Sequence, residues 1–303
     1  MLSVIIPTYN PDQSRLDLTL DSLKKQTLPF DRWELIIIDN NSSLPVSKMV
    51  DLSWHPNWRI IFERRQGLTY ARTKGFLEAS GDILIMVDDD NMLHTDYLSH
   101  TLQIFSEYPF MGAAGGKSIP QFELEPQVWL KEFYGNLALR DLGEEILVDT
   151  WNNTYPRAAP IGAGMAIRKH ALDGYISKIT SNKNVIADRQ GSSLSSGGDN
   201  DIVLEILKGG YQSGYFPSLT LTHIISRERT NFTYLVRLLN NMNKSWVMLL
   251  ASHGICPWKK IPAWSVPLRK AKAWFTYKAW SNKVNYIRWS GACGTFDGLS
   301  EID

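Results

Sequence analysis

Cysteine is almost missing from the chain. There are two among 303 residues, Cys256 and Cys293, and no CxxC pair. That disfavours a disulfide framework or a thiolate zinc site and suits a reducing compartment. Long apolar runs are missing as well: none approaches the roughly 18 residues of a membrane-spanning helix. The amino-terminal MLSVIIPTYN lacks a basic leader region and a cleavage site, so a strand and turn are expected there rather than a signal peptide. PTYNPDQ (7–13), after the first apolar run, holds no glycine, and no GxGxxG follows a strand-like segment, which disfavours a dinucleotide-binding dehydrogenase. Acidic residues are absent between Glu228 and Asp297. Residues 1–228 carry 21 basic and 28 acidic side chains, whereas 229–303 carry 11 and 3. A nearly neutral total of +1 therefore conceals a basic tail suited to an anionic surface.

What is present is an apolar fraction of 44%, enough for a sizeable core. LSVIIP (2–7), WELIIID (33–39), WRIIFE (58–63) and DILIMV (82–87) read as strands without polar alternation. Helical patterns separate them, with Leu16, Leu20 and Leu23 on one face and LTYARTKGFLEA (68–79) stopped by Ser80-Gly81. Such strands indicate a parallel sheet buried on both sides, so residues 1–110 are expected to form an α/β layer structure. Further on come two glycine-rich apolar pieces, MGAAGGKSI and PIGAGMAI, and then a polar loop, QGSSLSSGGDN (190–200). A short helix follows at 201–211, then a strand ending at His223 and a helix at 232–251.

Three of the strands end in polar clusters: Thr8-Tyr9-Asn10, Asp39-Asn40-Asn41 and Asp88-Asp89-Asp90. In an open α/β sheet ligands sit at these carboxyl ends. Carboxylates there can bind ribose hydroxyls or a hard cation, and a divalent ion relieves their mutual repulsion and can bridge to a pyrophosphate. In an extended segment Asp88 and Asp90 face one side and Asp89 the other. Solvated turns and helix caps are the competing reading of each acidic cluster.

SVIIPTYN, Asp39, the A-R-x-x-G segment (Ala71, Arg72, Gly75), the DxD, PIGAGMAIRKHAL (160–172), GGDNDIVLEILKGGY (197–211) and PSLTLTH (217–223) occur in an order that resembles the family 2 glycosyltransferases of the GT-A fold. The resemblance covers about residues 1–240. It implies an α/β fold, a Rossmann-like, mostly parallel sheet flanked by helices, with a helical carboxy-terminal extension. The implied domains are a catalytic one at 1–230, with a nucleotide-binding half (1–110) and an acceptor-binding half (111–230), and a helical extension at 231–303. It implies that Pro7, Thr8, Tyr9 and Asp39 hold the nucleotide base and ribose, that Arg72 lies near the nucleotide or its phosphates, and that Asp88 contacts the nucleoside. Asp90 and His223 would bind Mn²⁺ or Mg²⁺, and Asp199 would be the base of an inverting displacement. The chain departs from the pattern at Gly198, where the family often has Glu, which leaves Asp199 and Asp201 both open as the base. It departs again at Thr73, where Asn is usual. His223 alone would also fit a satisfied core histidine. The implied partners are a nucleotide-sugar donor, UDP by default, and a saccharide or lipid-linked acceptor, in cell-surface polysaccharide synthesis. A sugar-phosphate nucleotidyltransferase would need a glycine- and arginine-rich loop after strand one, and a non-catalytic carbohydrate- or nucleotide-binding module is the other alternative.

Phe122 and Trp129 in GGKSIPQFELEPQVWL (115–130) could stack on sugar rings, and Glu123 and Glu125 could accept hydroxyl hydrogen bonds, so Trp129 and Glu123 are acceptor-site candidates. The alternative is that Trp129 packs in the core. Residues 254–290 hold eight Lys/Arg and five of the eleven tryptophans. This mixture favours a membrane interface. A helical extension packing its tryptophans internally is the competing reading. Nucleic acid is not an expected partner, because no recognised motif accompanies the basic stretch. The expected location is cytoplasmic, on the inner face of the plasma membrane if the tail binds lipid.

Overall fold

The computed structural model describes residues 1–181 and 197–302. The described residues fall into two compact units, one formed by 1–121, 138–181 and 202–224, the other by 122–137, 197–201 and 225–302.

The first unit is built on a sheet. In chain order its elements are β1 (Leu2–Thr8), α1 (Gln13–Lys24), β2 (Trp33–Asp39), β3 (Trp58–Phe62), α2 (Leu68–Glu78), β4 (Ile83–Met86), β5 (Asn91–Leu93), α3 (Tyr97–Glu107), β6 (Met111–Phe122), β7 (Leu147–Asp149), β8 (Ala166–Arg168), α4 (Asp173–Thr180), α5 (Gly198–Lys208) and β9 (Gln212–Ile225). Helix α5 and strands β6 and β9 run on into the second unit. The strand order is β3-β2-β1-β4-β8-β6-β9-β5, with β7 on β9. The four amino-terminal strands are parallel. From β4 onward the described pairings, β4–β8, β6–β8, β5–β9 and β7–β9, are antiparallel.

The lack of alternation in β1 and β2 has a direct cause. Successive side chains point to opposite faces, and both faces are covered. Leu2, Val4 and Ile6 join a core with Leu16, Leu20 and Leu23 of α1. Ile5 joins the other core with Ile36, Ile38 and Phe76. Helix α1 starts where the Asp12 carboxylate accepts a hydrogen bond from the Arg15 N–H at 3.1 Å. Gly75 lets α2 lie against β1, because a Cβ there would stand 2.4 Å from Ile5 Cγ2.

The second unit contains α6 (Phe232–Ser252), α7 (Val266–Thr276) and α8 (Lys283–Glu301). Helix α8 packs along α6 on a glycine stripe, Gly291, Gly294 and Gly298. The segment 122–137 belongs here too: the Arg288 guanidinium pairs with the Glu132 carboxylate, and Lys283 Nζ sits 5.7 Å over the Trp129 ring. Among the described residues no helix is long and apolar enough to cross a membrane.

Three expectations change. MGAAGGKSI is part of a 12-residue strand, β6, and the strand ending at His223 is 14 residues long and runs on to Ile225. Helix α5 starts at Gly198, not at residue 201, so Asp199 and Asp201 both lie in its first turn. Of the loop at 190–200, residues 190–196 lie outside the described residues.

Candidate active site

The carboxyl ends of the parallel strands meet on one side of the first unit. Thr8, the last residue of β1, is in register with Asp39, the last of β2, and Asp39 with Phe62 of β3. Pro7 and Thr8 are buried, while Tyr9 is exposed beyond the strand. The loops after β1 and β2 are tied together. Asn10 N–H donates to Ser42 Oγ at 2.9 Å, and Ser43 N–H donates to Asn10 Oδ1 at 2.8 Å. Asn10 and Asn41 have φ of 48° and 68°, the left-handed region that asparagine tolerates.

Asp39 is buried, and each of its oxygens accepts a backbone N–H, from Ser42 at 2.9 Å and from Val46 at 3.0 Å. Those bonds fix the loop 42–46. Each oxygen keeps a second lone pair for a ligand hydroxyl. Asn40 next to it is a clamp: its amide nitrogen donates to the carbonyls of Glu63 (3.2 Å) and Arg65 (2.7 Å), and its Oδ1 accepts from Gly67 N–H (2.8 Å). This holds the start of α2, the helix that carries Arg72. Arg72 is buried, with Nη2 3.8 Å from Asp88 Oδ1.

The three aspartates are not on an extended strand. β4 ends at Met86, and residues 88–91 form a turn in which Asn91 N–H donates to the Asp88 carbonyl at 3.1 Å. The expected alternation fails for that reason. Asp89 does not point away: its carboxylate accepts the Thr8 hydroxyl. Burial, then the neighbouring Asp90 and Asp88 charges, push its pKa up to about 7 against the pull of the Thr8 hydrogen bond.

Asp90 turns toward the antiparallel part of the sheet. Its Oδ2 lies 3.4 Å from His223 Nε2, and its Oδ1 accepts from the Asn91 amide at 3.0 Å. The pairing of β5 with β9 is responsible, since Asn91 is in register with His223 and Ile224 N–H donates to the Asp90 carbonyl. His223 itself is buried. Ligands held at about 2.1 Å around one octahedral ion stand about 3 Å apart, so an Asp90 oxygen and the His223 nitrogen fit a shared divalent cation.

The structure thus brings Thr8, Asp39, Arg72, Asp88, Asp90 and His223 onto one side of the sheet, with Pro7 and Tyr9 flanking. The other candidates belong to the second unit. Asp199 is half-buried in the first turn of α5. Asp201 is buried, its Oδ1 2.7 Å from His253 Nε2 of the α6 carboxy-terminal cap. Trp129 is neither a core residue nor bare: it is half-buried, its N–H donates to Gln127 Oε1 at 2.6 Å, and its ring edge meets Phe133 at 6.2 Å. Glu123 is exposed and accepts the Arg227 N–H at 3.1 Å. Asn91 and the Thr8–Asp89 bond went unread in the sequence. The only available signal was the asparagine that closes the acidic run, a common turn residue.

Residues 3–167 match the model of glycosyl transferase family 2. The chain belongs to glycosyl transferase family 2. Among curated relatives, the glucosyl-dolichyl phosphate glucuronosyltransferase of Haloferax volcanii is 24% identical over 163 residues, 51% of this chain and 50% of that protein. The uncharacterized glycosyltransferase YfnE of Bacillus subtilis is 35% identical over 100 residues, 32% of this chain and 25% of that protein. The family 2 chain therefore matches at most about half the length of these relatives. In overall fold it is similar to S. aureus TarS 1-349 (TM-score 0.53, 14% identity, covering 99% of this chain and 90% of that one). It is similar also to the mannosyltransferase PcManGT from Pyrobaculum calidifontis in complex with GDP-Man and Mn²⁺ (TM-score 0.58, 16% identity, 98% and 87%). The fold class is the expected α/β one, a sheet flanked by helices as in GT-A transferases, with a helical carboxy-terminal part. The sheet is mixed and not mostly parallel, because β4–β8, β6–β8, β5–β9 and β7–β9 pair antiparallel.

Proposed function

We propose that this family 2 chain is a metal-dependent inverting glycosyltransferase. It moves a sugar from a nucleotide-sugar donor to a hydroxyl of a saccharide or lipid-linked saccharide, in cell-surface polysaccharide synthesis. The observation that carries the reading is the meeting of Asp90 with His223, 133 positions later, beside Thr8, Asp39, Arg72 and Asp88. An oxygen from the 88–91 turn and an imidazole from the distant strand β9 suit Mn²⁺ or Mg²⁺ together with phosphate oxygens. UDP is the favoured nucleotide, supported by the TarS structure in complex with UDP-GlcNAc; the GDP-Man of PcManGT is the competing donor type. The glucosyl-dolichyl phosphate in the name of the haloarchaeal relative supports a lipid-linked acceptor.

In the proposed reaction Asp39, with Pro7, Thr8 and Tyr9, orients the nucleoside, and Arg72 and Asp88 act at its phosphate and ribose side. Asp199 takes the acceptor hydroxyl proton as that oxygen attacks the anomeric carbon, while the bond from that carbon to the diphosphate breaks with its electron pair on the diphosphate. The cation held by Asp90 and His223 would neutralise the charge on the leaving diphosphate. Trp129 and Glu123 contact the acceptor in this proposal.

The test is turnover of UDP- and GDP-sugars with Mn²⁺. Asp90→Ala and His223→Ala should each lower kcat/KM on the order of a hundredfold or more. Asp199→Ala should lose about 10²–10⁴ in kcat with nucleotide affinity retained. Equal turnover by wild type and Asp90→Ala would remove the metal assignment. Nucleotide binding with no turnover of any donor would leave a binding module.

A further inference from the structure

The tryptophans of the basic tail divide into two sets. Trp274 and Trp289 point inward: their rings meet edge to face at 4.9 Å, and the Trp289 N–H donates to the Lys270 carbonyl at 3.0 Å. Ala273 and Val266 complete the buried side of α7. The opposite side is bare. Trp264 is 75% exposed, Leu268 66% and Phe275 68%. Leu268 and Phe275, seven residues apart, share one face of α7, and Trp264 lies in the short 3-10 turn Ala263–Ser265 just before the helix. Trp280, 58% exposed, continues the row, its ring 5.8 Å from that of Phe275. Isolated apolar residues are common on a soluble surface, but a row of four large ones marks a contact site.

The cations divide in the same way. Lys270 is held by Asp297 at 2.7 Å, Arg288 pairs with Glu132, and Lys283 covers Trp129. Lys272 and Lys278 on and after α7, with Lys259 and Lys260 before it, are exposed, and among the described residues no carboxylate lies within ion-pair distance of them. No acidic residue occurs from 229 to 296 that could neutralise them locally.

We propose that the apolar row made by Leu268 and Phe275 of α7, with Trp264 just before the helix and Trp280 just after it, docks on an anionic lipid bilayer, lying in the headgroup layer. Its aromatic rings would enter the acyl boundary, and Lys272 and Lys278 would meet lipid phosphates. Charge complementarity selects this occupant. A protein-binding core is depleted in lysine, whereas tryptophan beside lysine is the composition of a bilayer interface. An 11-residue helix is only about 16 Å long, so it lies on the membrane rather than spanning it. The inference stands on the second unit alone and does not depend on the catalytic reading.

The test is flotation of the full chain with vesicles of phosphatidylcholine alone and of phosphatidylcholine with phosphatidylglycerol at three to one. Wild type should float with the anionic vesicles and be released by high salt. K272E/K278E should bind them more weakly by at least about twentyfold, taking about fivefold per cation near the surface. W264S/F275S should lose on the order of tenfold or more from its missing apolar area, with the circular dichroism and Tm of the wild type, since neither residue is buried. No recovery of wild type, or equal recovery from neutral and anionic vesicles, overturns the proposal. A mass of two chains in vesicle-free solution that W264S/F275S reduces to one assigns the face to a second copy and also overturns it.

Discussion

His55 is ringed by Trp33, Phe30 and Trp54, with its ring 4.1 Å from that of Trp33, and its Nδ1 accepts the Asn57 N–H at 3.0 Å. Burial among these rings lowers its pKa to about 4, against an ordinary 6.5. The sign follows from linkage. As pH falls below about 6.5 the unfolded chain takes up the proton first, so stability is fully present above 6.5, is lost toward pH 4, and is flat below that. A gap of about 2.5 units corresponds to about 3 kcal/mol. The stability difference between wild type and His55→Gln, from urea unfolding, should shrink by about that amount between pH 7.5 and pH 4; a difference independent of pH would show that the ring titrates normally. The same residue scale marks where the sequence stopped being readable at the site. That Thr8 and Asp39 close parallel strands was legible, because an apolar run stops at each of them; Arg72, inside α2, was singled out only by the family resemblance. The direction of Asp89 was not legible, because it depends on a turn closed by Asn91, and three adjacent aspartates carry no sign of whether the backbone is extended.

Helix α8 approaches α6 so closely that a Cβ at Gly294 would stand 1.9 Å from the Asn240 carbonyl oxygen. The obstacle is backbone, so a side chain there forces the helices apart. Gly294→Ala should cost about 1–3 kcal/mol from overpacking, read from urea unfolding of the full chain. Gly135→Ala, where nothing lies within 4 Å of the added atom, is the matched control and should stay within about 0.5 kcal/mol. Equal effects at the two positions would mean that the close approach contributes nothing. Among the elements, β1, β2 and β4 were legible because two cores bury both of their faces and leave an unbroken apolar run; β3, the edge strand, departs from that expectation, with Trp58 and Phe62 exposed. Helices α1, α2 and α6 announced themselves by their spacing. Of the antiparallel part, only the stretch of β9 that leads to His223 was legible. β6 is interrupted by Gly115 and Gly116, and β9 by Gly214 and Pro217, and what keeps such segments extended is pairing with strands far away in the chain, which no local window contains.

At the scale of the whole molecule, the site proposed for nucleotide and metal is drawn from five separated stretches of one unit, and none of its polar groups comes from α6 or α8. A ligand that binds only the folded state adds RT ln(1 + [L]/Kd), about 2.7 kcal/mol at a hundred times Kd. The added protection should appear where local opening exposes the contacts. Hydrogen exchange of the full chain with UDP and Mn²⁺ should therefore slow at residues 8–10, 39–46, 65–72, 88–91 and around 223. Residues 232–252 and 283–301 should exchange as before. Asp90→Ala should lose the part of the protection that requires Mn²⁺ and keep a weaker, metal-independent part near Thr8 and Asp39, because those groups contact the nucleoside and not the ion. Protection spread evenly over both units would point to general tightening of the chain. Unchanged Mn²⁺ dependence in Asp90→Ala would place the cation elsewhere, and the 3.4 Å approach of Asp90 to His223 would then be a packing contact between the 88–91 turn and β9.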